Sequence, residues 1–331
     1  MTTRQSLYFA KPYHTEVRSE ALPAPEPHQV IVKTVVSAIS AGTELLFYRG
    51  QVPANMAVDA SIAGMQQTVQ YPLAYGYCSV GEVVQCGSQV DPSWHRRRVF
   101  AFHPHCSAFA SDPADLHPIP DNIRYDQAVF LPTMETAVNF VMDAKPLIGE
   151  RVIVMGLGIV GLLTAYLLNQ FPIEQIYTFD VYAKRVNLAR QWNIQALLSP
   201  DEFGNLHGYN PDLILELSSN PAGLSDALEL AGFGTRIVIG SWYGDKIAHL
   251  PLGGNFHRNR IQLISSQVST LDGQFNNRWD KQRRLQTAWK QLEQLPVQDL
   301  ISHRIPITSA SDAYELLDQH PEQTLQILFT Y

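Results

Sequence analysis

The sequence predicts an α/β protein whose central part is a doubly wound parallel sheet. Two observations carry that prediction. Arg151 to Asp180 reads RVIVMGLGIVGLLTAYLLNQFPIEQIYTFD: a strand, a glycine turn, a helix, a second strand and a terminal acid. Strand-like and helix-like runs then alternate as far as Ser265, as βαβ units do. At 331 residues the chain is long enough for two cores.

Taken in order, the N-terminal stretch MTTRQSLYFAKPYHTEVRSE is polar and lacks the apolar run of a secretory signal. Pro23–Gln29 is a proline-rich turn, and Val30–Ser37 (VIVKTVVS) has the β-branched content of a strand. Residues 51–71 mix small, apolar and amide side chains and read as an ordered loop or short helix over a pocket. Strand character returns in Gly76–Val84 and in Val99–Cys106, which runs into a polar tip. From Asp126 the pattern changes, with a helical segment over Ala128–Met142. Strands follow at Val152–Met155, Gln175–Phe179, Asp212–Glu216, within Gly232–Gly240, and at Ile261–Ser265. Helices fall at Val160–Leu168, Val186–Trp192 and Leu224–Leu230. Beyond Gln267, Trp279–Leu295 is an amphipathic helix, Ile301–Ile307 is extended, Ala310–Asp318 is helical and Leu325–Phe329 is a last strand. This tail is expected to pack back on the N-terminal part.

The glycine turn has a definite chemistry. Gly156 allows the tight exit from the strand, Gly158 clears space for a pyrophosphate, and Gly161 brings helix and sheet together. The helix start then offers free N–H groups and the positive end of its dipole to phosphates. Asp180 would accept hydrogen bonds from an adenosine ribose, which favours NAD over NADP. Arg185 complicates this, because an Arg can pair with a 2′-phosphate. A GxGxxG in this strand–helix–strand–acid context is a dinucleotide signature.

The net charge of −7 gives no electrostatic support for nucleic-acid binding. No apolar run reaches membrane-spanning length. Cys78, Cys86 and Cys106 form no even-numbered framework, so a reducing, cytoplasmic setting is expected.

Gly42-Thr-Glu44, Gly76–Val84 (GYCSVGEVV), GLGIVG, Asp180 with Arg185 and the GTRIVIG strand together resemble the medium-chain dehydrogenase/reductase superfamily, the alcohol-dehydrogenase-like enzymes. Phe256–Gln267 and the HPH at His103–His105 resemble the branch of threonine-dehydrogenase-like and bacteriochlorophyllide a dehydrogenase-like proteins. The resemblance implies a GroES-like catalytic domain from residues 1–132 and 268–331 and a Rossmann domain from 133–267. It also implies a cleft between them and a homodimer acting on a small molecule. It places Gly156, Gly158, Ile159, Val160, Gly161, Asp180, Arg185, Gly240 and Ser241 at the cofactor.

The zinc ligands of such enzymes are overwritten here. Ala41 takes a cysteine position, Tyr77 takes the histidine of Gly-His-Glu, and no cysteine lies near Pro132–Glu135. No zinc is therefore expected, although a rearranged set from Cys78, His103, His105, Cys106 or Glu135 is the alternative. Without a Lewis acid, hydrogen-bond donors or a general acid must hold the charge that builds on a carbonyl oxygen. The resemblance puts Ser40, Thr43, Glu44, Tyr77, His103 and His105 near that chemistry. Thr43 matches a proton-relay hydroxyl, Tyr77 offers its phenol, and His105 titrates near neutrality. Glu44 alternatively binds an amide or an Arg, and the basic cluster His257, Arg258 and Arg260 lies near cofactor or on a solvated face. The expected function is an NAD(H)-dependent, zinc-independent oxidoreductase of an alcohol/carbonyl pair. The alternatives are a zinc-free enone or quinone reductase using NADPH and a catalytically silent dinucleotide sensor.

Overall fold

The computed structural model describes residues 3–53, 55–59, 62, 65–198, 208–275 and 277–331. They fall into two compact units, Met1–Pro132 with Leu292–Tyr331, and Thr133–Gln291.

The first unit opens with a hairpin of β1 (Thr3–Lys11) and β2 (His14–Ala21). Leu7 and Phe9 alternate into the core, and Tyr13 turns the chain at φ 59°. A left-handed tyrosine is an uncommon turn residue, and the reading of this stretch as merely polar missed the hairpin. Next come β3 (Val30–Ala38) and α1 (Ala41–Arg49), which ends on Gly50 at φ 70°. Then follow β4 (Leu73–Ala74), β5 (Ser79–Cys86), β6 (Arg98–Ala101), β7 (Ala108–Ser111), β8 (Leu116–Pro118) and α2 (Tyr125–Ala128). β3 pairs with β5 and β7, β5 with β6, and β6 with β8, all antiparallel. Residues 54, 60, 61, 63 and 64 of the 51–71 segment lie outside the described residues; its remainder carries a bridge between Ala57 and Thr68 and buries Val58 and Met65.

The second unit runs from α3 (Leu131–Ala144) through β9 (Arg151–Met155), α4 (Ile159–Leu168), β10 (Gln175–Phe179), α5 (Ala183–Gln191), β11 (Gln195–Leu197), β12 (Leu213–Glu216), α6 (Pro221–Leu230), β13 (Arg236–Ile239) and β14 (Gln262–Ser265) to α7 (Lys281–Gln294). The strands form one parallel sheet of order β11-β10-β9-β12-β13-β14. This is the doubly wound order, with the direction of winding reversing between β9 and β12. Val152, Ile153 and Val154 have no exposed surface, as a central parallel strand covered on both faces requires.

The chain then returns to the first unit. β15 (Ile301–Pro306), α8 (Ala310–Gln319) and β16 (Gln326–Thr330) complete it. β16 lies antiparallel on β3, Leu328 opposite Ala38, so the tail finishes a seven-stranded sheet begun by the N-terminal segment. The dividing points between the units lie after Pro132 and after Gln291. Residues 268–291 stay with the parallel sheet because Arg284 on α7 is buried there, its guanidinium on Glu135 and Asn139 of α3 and on the Val268 carbonyl. A GroES-like β-rich domain and a doubly wound Rossmann domain are thus both present. Among the described residues no helix is long and apolar enough to cross a membrane.

Candidate active site

In the Rossmann unit the three glycines do different work. Gly156 sits at φ 94°, and a Cβ there would lie 2.6 Å from the Leu217 carbonyl oxygen. A Cβ on Gly161 would lie 1.8 Å from the Gly156 carbonyl oxygen, so α4 seats directly on the turn. A Cβ on Gly158 would meet no atom within 4 Å. That open space is what a pyrophosphate needs. Gly158 is the N-cap of α4 without a side-chain cap, and partly exposed Ile159 and Val160 follow in its first turn, where backbone N–H groups lack helical acceptors.

Asp180 follows β10 and is already engaged. One carboxylate oxygen accepts from the Leu157 N–H at 2.7 Å and from Arg185 at 3.4 Å; the other accepts from the Tyr182 N–H at 2.9 Å. The acid therefore holds the glycine turn. Arg185 is spent on Asp180 and on the Tyr182 ring, 4.6 Å away, an arrangement that offsets its attraction for a phosphate. Gly240 ends β13 beneath the Phe140 ring, where a Cβ would approach within 2.4 Å. Ser241 ties two loops together, accepting from the Ser219 N–H at 2.8 Å.

In the first unit, Ser40, Thr43 and Tyr77 come together. Ser40 is the N-cap of α1, Thr43 lies in its first turn, and the Tyr77 phenol donates to the Ser40 hydroxyl and lies 3.5 Å from that of Thr43. Burial pushes the Tyr77 phenol up to about 12, so it is a protonated donor at neutral pH.

Glu44 binds a backbone amide, the alternative raised for it, and His105 turns into the core beside it. Neither has exposed surface. Glu44 accepts from the Ser40 N–H at 2.7 Å, from the Tyr314 hydroxyl at 2.5 Å and faces His105 Nε2 at 3.1 Å. The other ring nitrogen of His105 is 2.7 Å from the Ser37 hydroxyl, which is 2.6 Å from that of Tyr331. With both ring nitrogens spent in the core, His105 is not presented to a substrate; it and Glu44 brace α1. His103 stacks on Phe109 at 3.9 Å and has its pKa lowered to about 4 by burial, so it is a neutral packing group at pH 7.

The donor set does not fit zinc. Ala41 has no ligand atom, and the Tyr77 oxygen is shared with Ser40 and Thr43. Cys78 donates its thiol to the Val129 carbonyl at 2.8 Å, and burial pushes its pKa up, away from a thiolate. Cys106 is likewise pushed up to about 12 by burial. Glu135 is paired with Arg284. Of the rearranged set only His103 and Cys106 meet, at 3.5 Å, and among the described residues no group of three His, Cys, Asp or Glu is arranged to hold a metal ion. His257, Arg258 and Arg260 are exposed.

One buried group escaped the sequence reading. Glu216 closes β12 with no exposed surface, accepting from the Ser218 N–H at 2.9 Å, from the Ser218 hydroxyl and from the Tyr243 hydroxyl at 2.5 Å. Its signal was present as a charge ending the apolar run LILE.

No protein-family model matches the chain. It is 25% identical to D-guloside 3-dehydrogenase of Escherichia coli strain K12 over 269 residues, 77% of either chain. It is 24% identical to L-threonine 3-dehydrogenase of Xanthomonas oryzae pv. oryzae over 338 residues, 90% of this chain and 91% of that one. An alcohol dehydrogenase of Escherichia coli CFT073, solved with NADH, superimposes with a TM-score of 0.78 at 18% identity over the whole of both chains. In sequence the chain is thus similar to these dehydrogenases, and in fold it is similar to alcohol-dehydrogenase-like enzymes.

Proposed function

We propose that this protein is a nicotinamide-dinucleotide oxidoreductase of an alcohol/carbonyl pair, in which side-chain hydroxyls replace zinc at the substrate oxygen. The observation that carries this reading is the Tyr77 phenol. It stands where the related enzymes place a metal-binding histidine and is hydrogen-bonded to Ser40 and Thr43. The open space at Gly158 supports dinucleotide binding. When bound, the dinucleotide supplies or accepts a hydride.

The first-turn N–H groups at Ile159 and Val160 hold the pyrophosphate, and Asp180 takes the adenosine ribose. A 2′-phosphate would face the Asp180 carboxylate, so NAD is preferred to NADP. With substrate bound, the Tyr77 O–H turns from Ser40 to the oxygen on which negative charge grows and passes its proton there. Ser40 and Thr43 then donate to the phenol oxygen and relay to it a replacement proton taken up from solvent. Removing one such donor costs on the order of 10²- to 10³-fold in rate.

Fluorescence titration with NADH tests the reading, with binding expected at tens of micromolar or tighter, an order-of-magnitude figure. No NADH or NADPH binding would overturn it. A strong NADPH preference would favour a quinone or enone reductase. Binding without turnover on an alcohol, aldehyde and quinone panel would favour a silent sensor. Tyr77→Phe should slow turnover by about 10²-fold and leave the dinucleotide Kd unchanged.

A further inference from the structure

We propose that Glu216 biases the bound dinucleotide toward its oxidised, cationic form. The inference rests on the dinucleotide reading above and adds a preference between its two redox states.

The strand order locates the residue. Winding reverses between β9 and β12, and a dinucleotide lies across the carboxyl ends of the strands at that point. Asp180, after β10, marks the adenosine half. The nicotinamide half therefore belongs to the side of β12 and β13. Glu216 is the last residue of β12, in register with Met155 at the end of β9. A carboxylate is thus built into the sheet end at the switch point.

Among the described residues, the groups hydrogen-bonded to its carboxylate carry no positive charge. The three donors it accepts from, the Ser218 N–H and hydroxyl and the Tyr243 hydroxyl, are all neutral. Burial, followed by the Glu216 carboxylate itself, pushes the Tyr243 phenol up, so it remains a donor. Gly223 in the first turn of α6 packs closely against the carboxylate, since a Cβ there would lie 3.0 Å from a Glu216 oxygen, and Glu216 has no exposed surface. The ammonium of Lys246 sits on the Ser219 carbonyl at 3.2 Å. A buried charge acts on ligands over longer distances than an exposed one. The oxidised nicotinamide ring carries a positive charge and the reduced ring none, so Glu216 distinguishes them electrostatically while both make the same pyrophosphate and ribose contacts.

The test is the Kd of NAD⁺ and of NADH for the full chain, measured calorimetrically for wild type, Glu216→Gln and Tyr243→Phe. Glu216→Gln should weaken NAD⁺ by about tenfold and leave NADH within about twofold. Tyr243→Phe removes a donor but keeps the carboxylate, so it should move the ratio the opposite way, by about threefold toward NAD⁺. Equal weakening of both ligands in Glu216→Gln, as a purely structural role produces, would overturn the proposal. If Glu216→Gln does not fold, an unchanged or reversed ratio in Tyr243→Phe overturns it alone. Failure of wild type to bind either dinucleotide overturns the oxidoreductase reading itself, a result distinct from an unchanged ratio.

Discussion

His105 and Glu44 face each other across 3.1 Å with no exposed surface on either side chain. They are 61 positions apart in sequence and meet because the segment after β6 crosses the start of α1. The carboxylate gathers His105, the Tyr314 hydroxyl and the Ser40 N–H on its two oxygens. Ser40 carries the hydroxyl that receives the Tyr77 phenol. Glu44 therefore fixes the position of the proposed donors without touching a substrate.

Glu44→Ala should strip the Ser40 N–H and the Tyr314 hydroxyl of their acceptor and leave the His105 Nε2 without its partner. At about 1–3 kcal/mol for each unsatisfied group, the loss should reach at least about 3 kcal/mol in urea denaturation. Glu44→Gln keeps one acceptor oxygen and should lose less. It should still lower turnover, because Ser40 and Tyr77 are less firmly held, with the dinucleotide Kd unchanged. A Glu44→Ala protein as stable as wild type would show that the cluster carries little energy.

The glycine turn separates folding from binding. Gly158→Ala adds a methyl to open space at a φ of −61°, which alanine adopts freely. Its thermal midpoint should stay within a few degrees of wild type, a ΔΔG of about 1 kcal/mol or less, while NADH binding weakens at least about tenfold. Gly161→Ala drives a methyl into the Gly156 carbonyl and should lose stability and binding together, by about 1–3 kcal/mol in stability as overpacked sites do. Equal NADH affinity in Gly158→Ala and wild type would mean that the open space is not a phosphate site.

His103 gives an acid-side prediction. Its folded pKa of about 4 lies below the ordinary 6.5. Between those values the unfolded chain binds more protons than the folded one, so stability falls as pH drops from 6.5 to 4. The slope attributable to this residue is at most about 1.4 kcal/mol per pH unit. Replacing His103 with Phe, which keeps an aromatic ring over Phe109, should flatten the stability profile in that window. An unchanged profile would show that His103 protonates freely in the folded protein.

The parts of the fold that sequence revealed are those encoded locally. The β-branched run before Gly156 and the acid after Phe179 mark β9 and β10 because a buried parallel strand and its turn write their requirements into adjacent residues. Ser40, Thr43 and Tyr77 were named through resemblance, and the register of β3 against β5 brings their segments together. Non-local pairing was not legible. Nothing in the HPH tripeptide shows that His105 turns inward to Glu44 while His103 lies flat on Phe109. The hairpin of β1 and β2 was hidden because its turn uses Pro12 and Tyr13 where glycine or asparagine usually signals one. Glu216 was visible only as the end of a strand, since its partner Tyr243 lies beyond the next one.

Arg284 and Glu135 offer a test inside the Rossmann unit. Two guanidinium nitrogens of Arg284 lie 3.0 Å from one Glu135 oxygen, and another bond reaches Asn139 at 2.6 Å. Burial raises the Glu135 pKa, and Arg284 opposes that rise. Arg284→Ala leaves a buried carboxylate without its cation and should cost about 3–5 kcal/mol at pH 7. The variant's Glu135 pKa then rises further above its unfolded value, so the folded state takes up a proton that the unfolded chain does not hold. The deficit should therefore shrink as pH falls from 7 toward 5, the sign opposite to that for His103. Replacing both partners with apolar residues, as in Arg284→Met with Glu135→Leu, should recover most of the loss, because it removes the stranded charge as well as its partner. A deficit independent of pH, or a double variant as unstable as Arg284→Ala, would show that packing of the arginine stem rather than its charge holds α7 to α3.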